Sequence, residues 1–379
     1  MSLPNVTLLV SIDPLLRERA VASARAHDRD VVVVRHELTS LGLDGHVHRR
    51  IDDGCGSEDV SLDVDDGCCL SCLLREDTIG LLSSLRGRHV LLVLPPSVEA
   101  ANVAALLADE GAATVQSITA AVDVRRLEAR LCSTEPLADI EDLGDDERSV
   151  AEVLARQFDH AELVLHDGGD DRALALLAAV TGGGRHGSVD APGWLEVGGH
   201  DHDQFVARLQ PGVPGCRGQV ARHGVEQRCW YRRRPLHPDR LLAVLENGRL
   251  DGLVRVSGWL WVATRPGTVL ELDGVGNSHV LAAAGVWLDA TRDHGAVHPS
   301  RLQAAERRWD PYYGDRAQQL VLTTLDRDLG EVEALLDACL LTDAELAEGA
   351  DRWRGRPDPM SPWLGDEADL IATHAEDPA

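Results

Sequence analysis

Short, almost uninterrupted apolar runs, each followed by a stretch of helical spacing, dominate the first half of the chain and constrain its fold more than any other feature. Val6-Thr7-Leu8-Leu9-Val10, Val31 to Val34 and Val90 to Leu94 are such runs, the last stopped by Pro95-Pro96. A strand with one wet face alternates; a strand buried on both faces does not, and parallel sheets are built from the second kind. Between the runs, Pro14 to His27 sets Leu15, Leu16, Ala20, Val21 and Ala24 on one side of a helix, and Leu73 to Leu85 and Val98 to Leu107 read as helices too. Val115 to Val124 and Leu163 to Leu165 read as further strands, with a helix Asp146 to Gln157 between them. The alternation predicts an α/β domain over residues 1–180, with a mostly parallel sheet and helices on both faces.

At Gly182-Gly183-Gly184 the pattern breaks, and residues 181–226 read as a linker with loop character. A second domain is expected over 227–345. Pro238 to Leu245 starts a helix with Pro in its first turn; Leu253 to Thr264, Val269 to Leu272, Ser278 to Ala283 and Leu320 to Leu325 read as strands, and Leu329 to Leu340 as a helix. This is an α+β pattern with an antiparallel sheet, in which Trp259, Trp261 and Trp287 are expected as core anchors. Residues 346–379 read as an acidic, Pro-rich tail, anchored by Trp353 and Trp363 and loose at its end.

The 379 residues suffice for two or three domains. No apolar run approaches the roughly 20 residues of a membrane helix, and the opening Met1-Ser2-Leu3-Pro4-Asn5 lacks the basic segment of a signal peptide. A cytoplasmic protein without membrane contact is therefore expected. Asp plus Glu number 63 against 37 Lys plus Arg, a formal net charge of −26. Such a surface repels phosphate, so direct, extensive nucleic-acid binding is not expected, whereas a basic protein partner is. All 37 basic residues are arginine. No lysine exists to form a Schiff base or to reach nucleotide phosphates.

The 8 cysteines include three within five residues, Cys68, Cys69 and Cys72. Thiols at a helix start have a lowered pKa and suit a soft metal such as zinc. Two or three thiols fall short of the four ligands of a closed zinc site; Cys55, His46 or His48 are the upstream candidates to complete it. The same Cys-x-x-Cys spacing also suits a redox pair, or idle thiols in an inherited loop. His200-Asp201-His202-Asp203 reads as a solvated loop, and His237 as a turn or helix-start residue.

Five blocks in the second half carry a family resemblance: Arg233-Arg234-Pro235-Leu236-His237-Pro238-Asp239-Arg240, Val254 to Arg265 with its Ser257-Gly258-Trp259-Leu260-Trp261, Gly285-Val286-Trp287, Gly314-Asp315-Arg316-Ala317-Gln318-Gln319-Leu320-Val321, and Leu336 to Asp343. In this order they resemble the C-terminal domain of the CobW-like metal-handling P-loop GTPases. The element order of the first half is similar to that family's G domain. The resemblance implies a G-domain-like α/β fold plus a smaller α+β CobW C-terminal domain.

The nucleotide motifs of that family are missing. A P-loop needs glycines, a lysine and a Ser/Thr after the first strand; here Ser11-Ile12-Asp13-Pro14-Leu15-Leu16-Arg17 follows. Pro95-Pro96-Ser97 stands where a Glu-Thr-Thr/Ser-Gly segment belongs, and His166-Asp167-Gly168-Gly169 where the guanine-reading Asn-Lys-x-Asp belongs. Aligned on Leu74-Arg75-Glu76-Asp77, the family's Gly-Cys-x-Cys-Cys element becomes Cys69-Leu70-Ser71-Cys72 with Cys68 before it. The chain resembles an actinobacterial branch of the family with degenerate GTPase motifs. That resemblance implies a non-catalytic adaptor of the zinc-limitation response, which brings a ribosome hibernation factor to the small ribosomal subunit. The alternative it implies is a zinc metallochaperone or zinc sensor using Cys69, Cys72 and Cys68; no other cofactor is expected.

Overall fold

A computed structural model of the chain describes residues 2–38, 46–63, 70–139, 146–182, 184–213, 219–291, 295 and 297–376. The chain divides into two units, Met1–His202 and Asp203–Ala379. Among the described residues no helix is long and apolar enough to cross a membrane.

The first unit runs β1 (Asn5–Val10), α1 (Pro14–His27), β2 (Val32–Leu38), β3 (His46–Asp52), β4 (Ser57–Asp63), α2 (Leu70–Ser84), β5 (His89–Val93), α3 (Ala100–Asp109), β6 (Thr114–Val122), α4 (Leu127–Leu131), α5 (Val150–His160), β7 (Leu163–His166), α6 (Asp171–Val180) and β8 (Arg185–Ser188). The strands form one sheet in the order β4-β3-β2-β5-β1-β6-β7-β8. The six from β2 to β8 in that order are parallel. Leu16, Ala20, Val21 and Ala24 of α1 pack on Leu9, Val33, Leu91, Ala121 and Leu165. Side chains alternate along a strand, and the alternate Leu8, Leu92 and Ile118 are also fully buried. The sheet is thus covered on both faces, as its apolar runs require.

Three features depart from the sequence expectation. The β3–β4 hairpin, antiparallel on the edge of β2, was not foreseen. Its residues are mostly His, Arg, Asp and Ser, the polar composition that protects an edge strand. The fifth helix begins at Val150 and not near Asp146, because Ser149 and Glu152 form a capping box while Asp146 is held by Arg148. The expected linker, 181–226, contains β8, α7 (His202–Leu209) and β9 (Val220–Arg222). The extra strand exists because β7 has a free parallel edge, which Arg185 to Ser188 fill, and Trp194 and Leu195 behind it are buried in the α1 cluster.

The second unit continues with β10 (Val225–Arg232), α8 (Pro238–Glu246), β11 (Leu253–Val262), β12 (Arg265–Gly276), β13 (Ser278–Val286), α9 (Pro299–Arg308), β14 (Gln318–Leu325), α10 (Leu329–Ala338), α11 (Asp343–Ala347), α12 (Ala350–Arg354), α13 (Ser361–Leu364) and α14 (Glu367–Glu376). Its sheet, β13-β12-β11-β14-β10-β9, is antiparallel throughout. Leu241 of α8 and Leu336 of α10 cover Trp230, Leu260, Leu272 and Leu320. Trp261 and Trp287 form a second cluster with Val269, against which Trp259 packs, so the tryptophans are the anchors the sequence suggests.

The expected tail is largely structure. Trp353 is buried with Ala263 and Leu341, and Met360 lies in the main core. Trp363, expected as an anchor, is instead 52% exposed, and Met360 is the residue of this segment that the main core takes in. Arg265 on β12 is fully buried and paired with Asp358 at 2.6 Å.

The start of α11 carries a pH prediction. Partial burial pushes the Glu345 carboxyl up, but the Thr342 backbone N–H, the Arg240 guanidinium and the Thr342 hydroxyl outweigh it and hold the pKa at about 2. A depressed acid stabilises the fold fully above its unfolded pKa and loses that contribution as pH falls toward the folded value. Denaturant midpoints are therefore expected to fall as pH drops below about 4.5 toward about 2, and Glu345→Gln is expected to flatten that slope. An unchanged slope in the variant would assign the effect to other carboxylates.

Candidate functional site: the crest of the parallel sheet and the cysteine loop

In open α/β sheets, ligands bind outside the carboxyl ends of the strands, where the strand order reverses. Here that point is β1, whose neighbours β5 and β6 lead the chain to opposite sides of the sheet. Three residues, Ser11 to Asp13, join β1 to α1. Ser11 is fully buried, and its hydroxyl donates to the Ala121 carbonyl at 2.7 Å, tying the turn to β6. Asp13 is the N-cap of α1: one carboxylate oxygen accepts from the Leu16 N–H at 3.2 Å and the other lies 3.3 Å from Arg130 Nη2. A helix N-terminus after a strand is an anion site. In this chain the anion is its own aspartate, with its own arginine as counter-ion.

The two other nucleotide positions are also tied into the protein. After β5, the Pro95 carbonyl accepts from the Val98 N–H at 3.0 Å. The Ser97 carbonyl accepts from Arg148 at 2.7 Å, and the hydrogen bond from that guanidinium holds Asp146 below the usual carboxylate range. After β7, Asp167 pairs with Arg125, while His166 Nδ1 accepts from the Gly168 N–H at 3.1 Å. At the places where the resemblance puts nucleotide contacts, the chain bonds to itself: through ion pairs at Asp13 and Asp167 and a guanidinium-to-carbonyl hydrogen bond at Ser97.

The cysteine loop is the second candidate. Cys72 falls in the first turn of α2; Cys68 and Cys69 lie outside the described residues. The helix is fixed through Asp77, which accepts from fully buried His36 Nε2 on β2 at 2.9 Å and pairs with Arg49 on β3. Burial pushes Asp77 up, but His36 and Arg49 outweigh it and hold the carboxyl below its ordinary range. Of the upstream candidates, His46 pairs across the hairpin with Asp63, the residue just before the 64–69 segment. Cys55 sits in the turn at the hairpin's other end, about 20 Å from His46 at some 3.3 Å per residue, so Cys55 cannot join a centre that includes His46. His48 faces Asp59 at 3.5 Å.

Among the described residues no group of three or more His, Cys, Asp or Glu could hold a metal ion. A thiolate set such as Cys68, Cys69 and Cys72 would suit zinc by its donor chemistry. His200, expected in a solvated loop, is instead buried, with Nδ1 2.9 Å from Glu162 Oε1. The adjoining Gly199 and His200 N–H groups both bond the Gln116 carbonyl, which folds the segment onto β6. His237 is the N-cap residue of α8, the helix-start role read from Pro238. The partners Arg130, Arg148 and Arg125 were missed by sequence reading. Arg130, for one, lies 117 residues from Asp13, and no local spacing signals such a pair.

The fold comprises a mostly parallel α/β unit, with Asp13 capping the helix after its first strand, and an antiparallel α+β unit. Residues 225–340 match the cobalamin synthesis protein cobW C-terminal domain. The second unit therefore contains a CobW C-terminal domain. It is 29% identical over 91% of its length, and 90% of the relative's, to a Mycobacterium tuberculosis protein named zinc chaperone Rv0106. It is 30% identical over 45% of its length, and 33% of the relative's, to the zinc-regulated GTPase metalloprotein activator 1 of Dictyostelium discoideum. A crystal structure of the Zn(II)-bound YjiA GTPase from E. coli aligns with 90% of this chain and all of its own, at 13% identity and a TM-score of 0.33.

Proposed function

We propose that this chain serves zinc homeostasis by contact and not by nucleotide turnover: a cytoplasmic, non-catalytic CobW-like adaptor of the zinc-limitation response, which recruits a ribosome hibernation factor to the small ribosomal subunit. The zinc link is supported by the names of the relatives, and the partner by the resemblance to the degenerate actinobacterial branch. The observation that carries the non-catalytic part is Asp13, whose carboxylate caps α1 and pairs with Arg130 where a triphosphate would need to sit. A triphosphate there would meet like charge and no lysine. The excess of 63 acidic over 37 basic residues suits docking on a basic protein.

Two measurements test this reading. Calorimetry with GTP and magnesium is expected to give no binding heat; a saturable signal lost on disrupting the Ser11–Asp13 turn would make the chain a switch. In zinc-starved cells the protein is expected to sediment with small subunits, and its absence from ribosome fractions would end the adaptor reading. A second reading, a zinc chaperone or sensor, is favoured by Cys72 in the first turn of α2. It expects about one zinc per chain by metal analysis, lost in Cys69→Ser with Cys72→Ser, whereas a metal-free wild type would dispose of it.

A further inference from the structure

The second unit holds a cleft that none of this uses. Pro211 and Gly212 border it, with Tyr231 of β10, Trp259 of β11, Trp287, and Arg301 and Arg308 of α9. Gly212 has φ +77°, and a Cβ there would stand 3.3 Å from the Trp287 ring, so the backbone lies closely over the indole. Three aromatic residues and two arginines lining one cleft is the composition of binding sites more than of sheet surfaces.

The polar groups of the cleft are under-used. Trp287 is 2% exposed, yet its indole Nε1–H has no hydrogen-bond partner among the described residues, and neither has Arg301 Nε. A buried indole N–H normally finds an acceptor. The Arg301 guanidinium donates to the Val286 carbonyl and is in no ion pair with a described carboxylate. Asp315, the carboxylate lining the cleft, is engaged by the backbone N–H groups of Leu288 and Asp289 at 2.9 and 3.0 Å. Burial pulls the Arg301 pKa down against the opposing charge of Asp315, the mark of a cation short of counter-charge. Arg308 donates to Gln319 at 2.8 Å and lies with Arg233 against the Tyr231 ring, each 5.5 Å from its centroid. In a chain of net charge −26, this is a local excess of positive charge beside an aromatic-lined cleft, with Arg308 at its exposed rim.

We propose that this cleft binds an oxyanion, a carboxylate or phosphate group carried on a small planar or apolar body. Arg301 and the Trp287 indole N–H supply the donors, and Trp259 and Tyr231 form the walls. The buried Trp287 N–H and Arg301 Nε, left without partners, disfavour a ligand that brings no acceptor, because covering them unpaired is costly. The anionic group therefore sets specificity and the rings accommodate the body. Every component lies in the second unit, so the inference stands or falls apart from the zinc reading.

The test uses the full chain with benzoate, phenyl phosphate, inorganic phosphate and the neutral isostere benzamide, followed by calorimetry and tryptophan fluorescence. Benzoate or phenyl phosphate is expected to bind and to change the fluorescence, while benzamide binds at least about tenfold more weakly, the loss expected when a charge-assisted hydrogen bond is removed. Preference between benzoate and phenyl phosphate assigns the head group as carboxylate or phosphate, and inorganic phosphate reports what the body adds. Arg301→Gln is expected to weaken binding about tenfold or more. Trp287→Phe, which keeps an aromatic ring but deletes the indole N–H, is expected to weaken binding several-fold in a protein that still unfolds cooperatively, at a somewhat lower temperature because the smaller ring leaves a gap in the core, and it provides the answer should Arg301→Gln fail to fold. Absence of binding by either aromatic anion at millimolar concentration, equal affinity for benzamide, or affinity indifferent to both substitutions would each overturn the proposal.

Discussion

Asp358→Ala is expected to unfold the second unit roughly 10 °C earlier than the parent. Arg265 is fully buried, its Nε donates to Asp358 at 2.6 Å, and Nη2 donates to the Gly365 carbonyl at 3.0 Å. Asp358 also accepts from the Thr264 hydroxyl and the Met360 N–H, so one carboxylate serves three partners. Deleting it strands a buried guanidinium, a loss of about 3–5 kcal/mol. All tryptophans except Trp194 belong to the second unit, which makes fluorescence a selective monitor. A double variant, Arg265→Met with Asp358→Leu, should recover much of the loss, since replacing a buried pair by apolar groups is near neutral while breaking it is not. If Asp358→Ala melts with the parent, the pair contributes nothing and the tail is merely laid against the sheet.

The second large effect is expected at Gly258, in the middle of β11. Its φ is +144°, and a Cβ built there would lie 2.0 Å from the Gln319 carbonyl oxygen of β14. Gly258 stands opposite Leu320 in the ladder, so relief requires the two strands to part where Leu260 and Leu320 meet in the core. Gly258→Ala is expected to cost about 3 kcal/mol, read as a lower denaturant midpoint by tryptophan fluorescence. Ser257→Ala beside it, with no backbone clash to cause, serves as control. Equal midpoints for the two variants would mean that the strands tolerate the methyl group without opening.

What the sequence reveals follows from where each segment is buried. β1, β5 and β7 are apolar almost without interruption because both faces are covered, and a run of that kind can be read locally. β2 is read only as far as Val34, while the strand continues through Arg35 and His36 to Leu38; His36 is buried there because Asp77, 41 residues away, receives it. The β3–β4 hairpin and β8 are edge elements of polar residues, held by pairing with strands whose position no local pattern states. At the crest the missing P-loop is plain in Ser11 to Arg17, since a phosphate cradle is a matter of adjacent residues. What fills its place is not plain, because Arg130 comes from a different helix. The helices after Glu348 escaped notice for the same reason: Pro and acidic residues suggest a free tail, and only the partners Arg265 and Thr268 make them structural.

Glu367 accepts hydrogen bonds from the backbone N–H groups of Gly267 and Thr268 at 2.7 and 3.0 Å, and Asp358 holds Arg265 on the same strand. Both acceptors lie past residue 340, where the CobW C-terminal match stops. Dissection of this molecule at that boundary would thus remove a charge partner and a strand cap together, leaving a fragment prone to misassembly. The shortest autonomous piece must extend through α14, and an expression strategy based on family borders alone would cut inside a cooperative module.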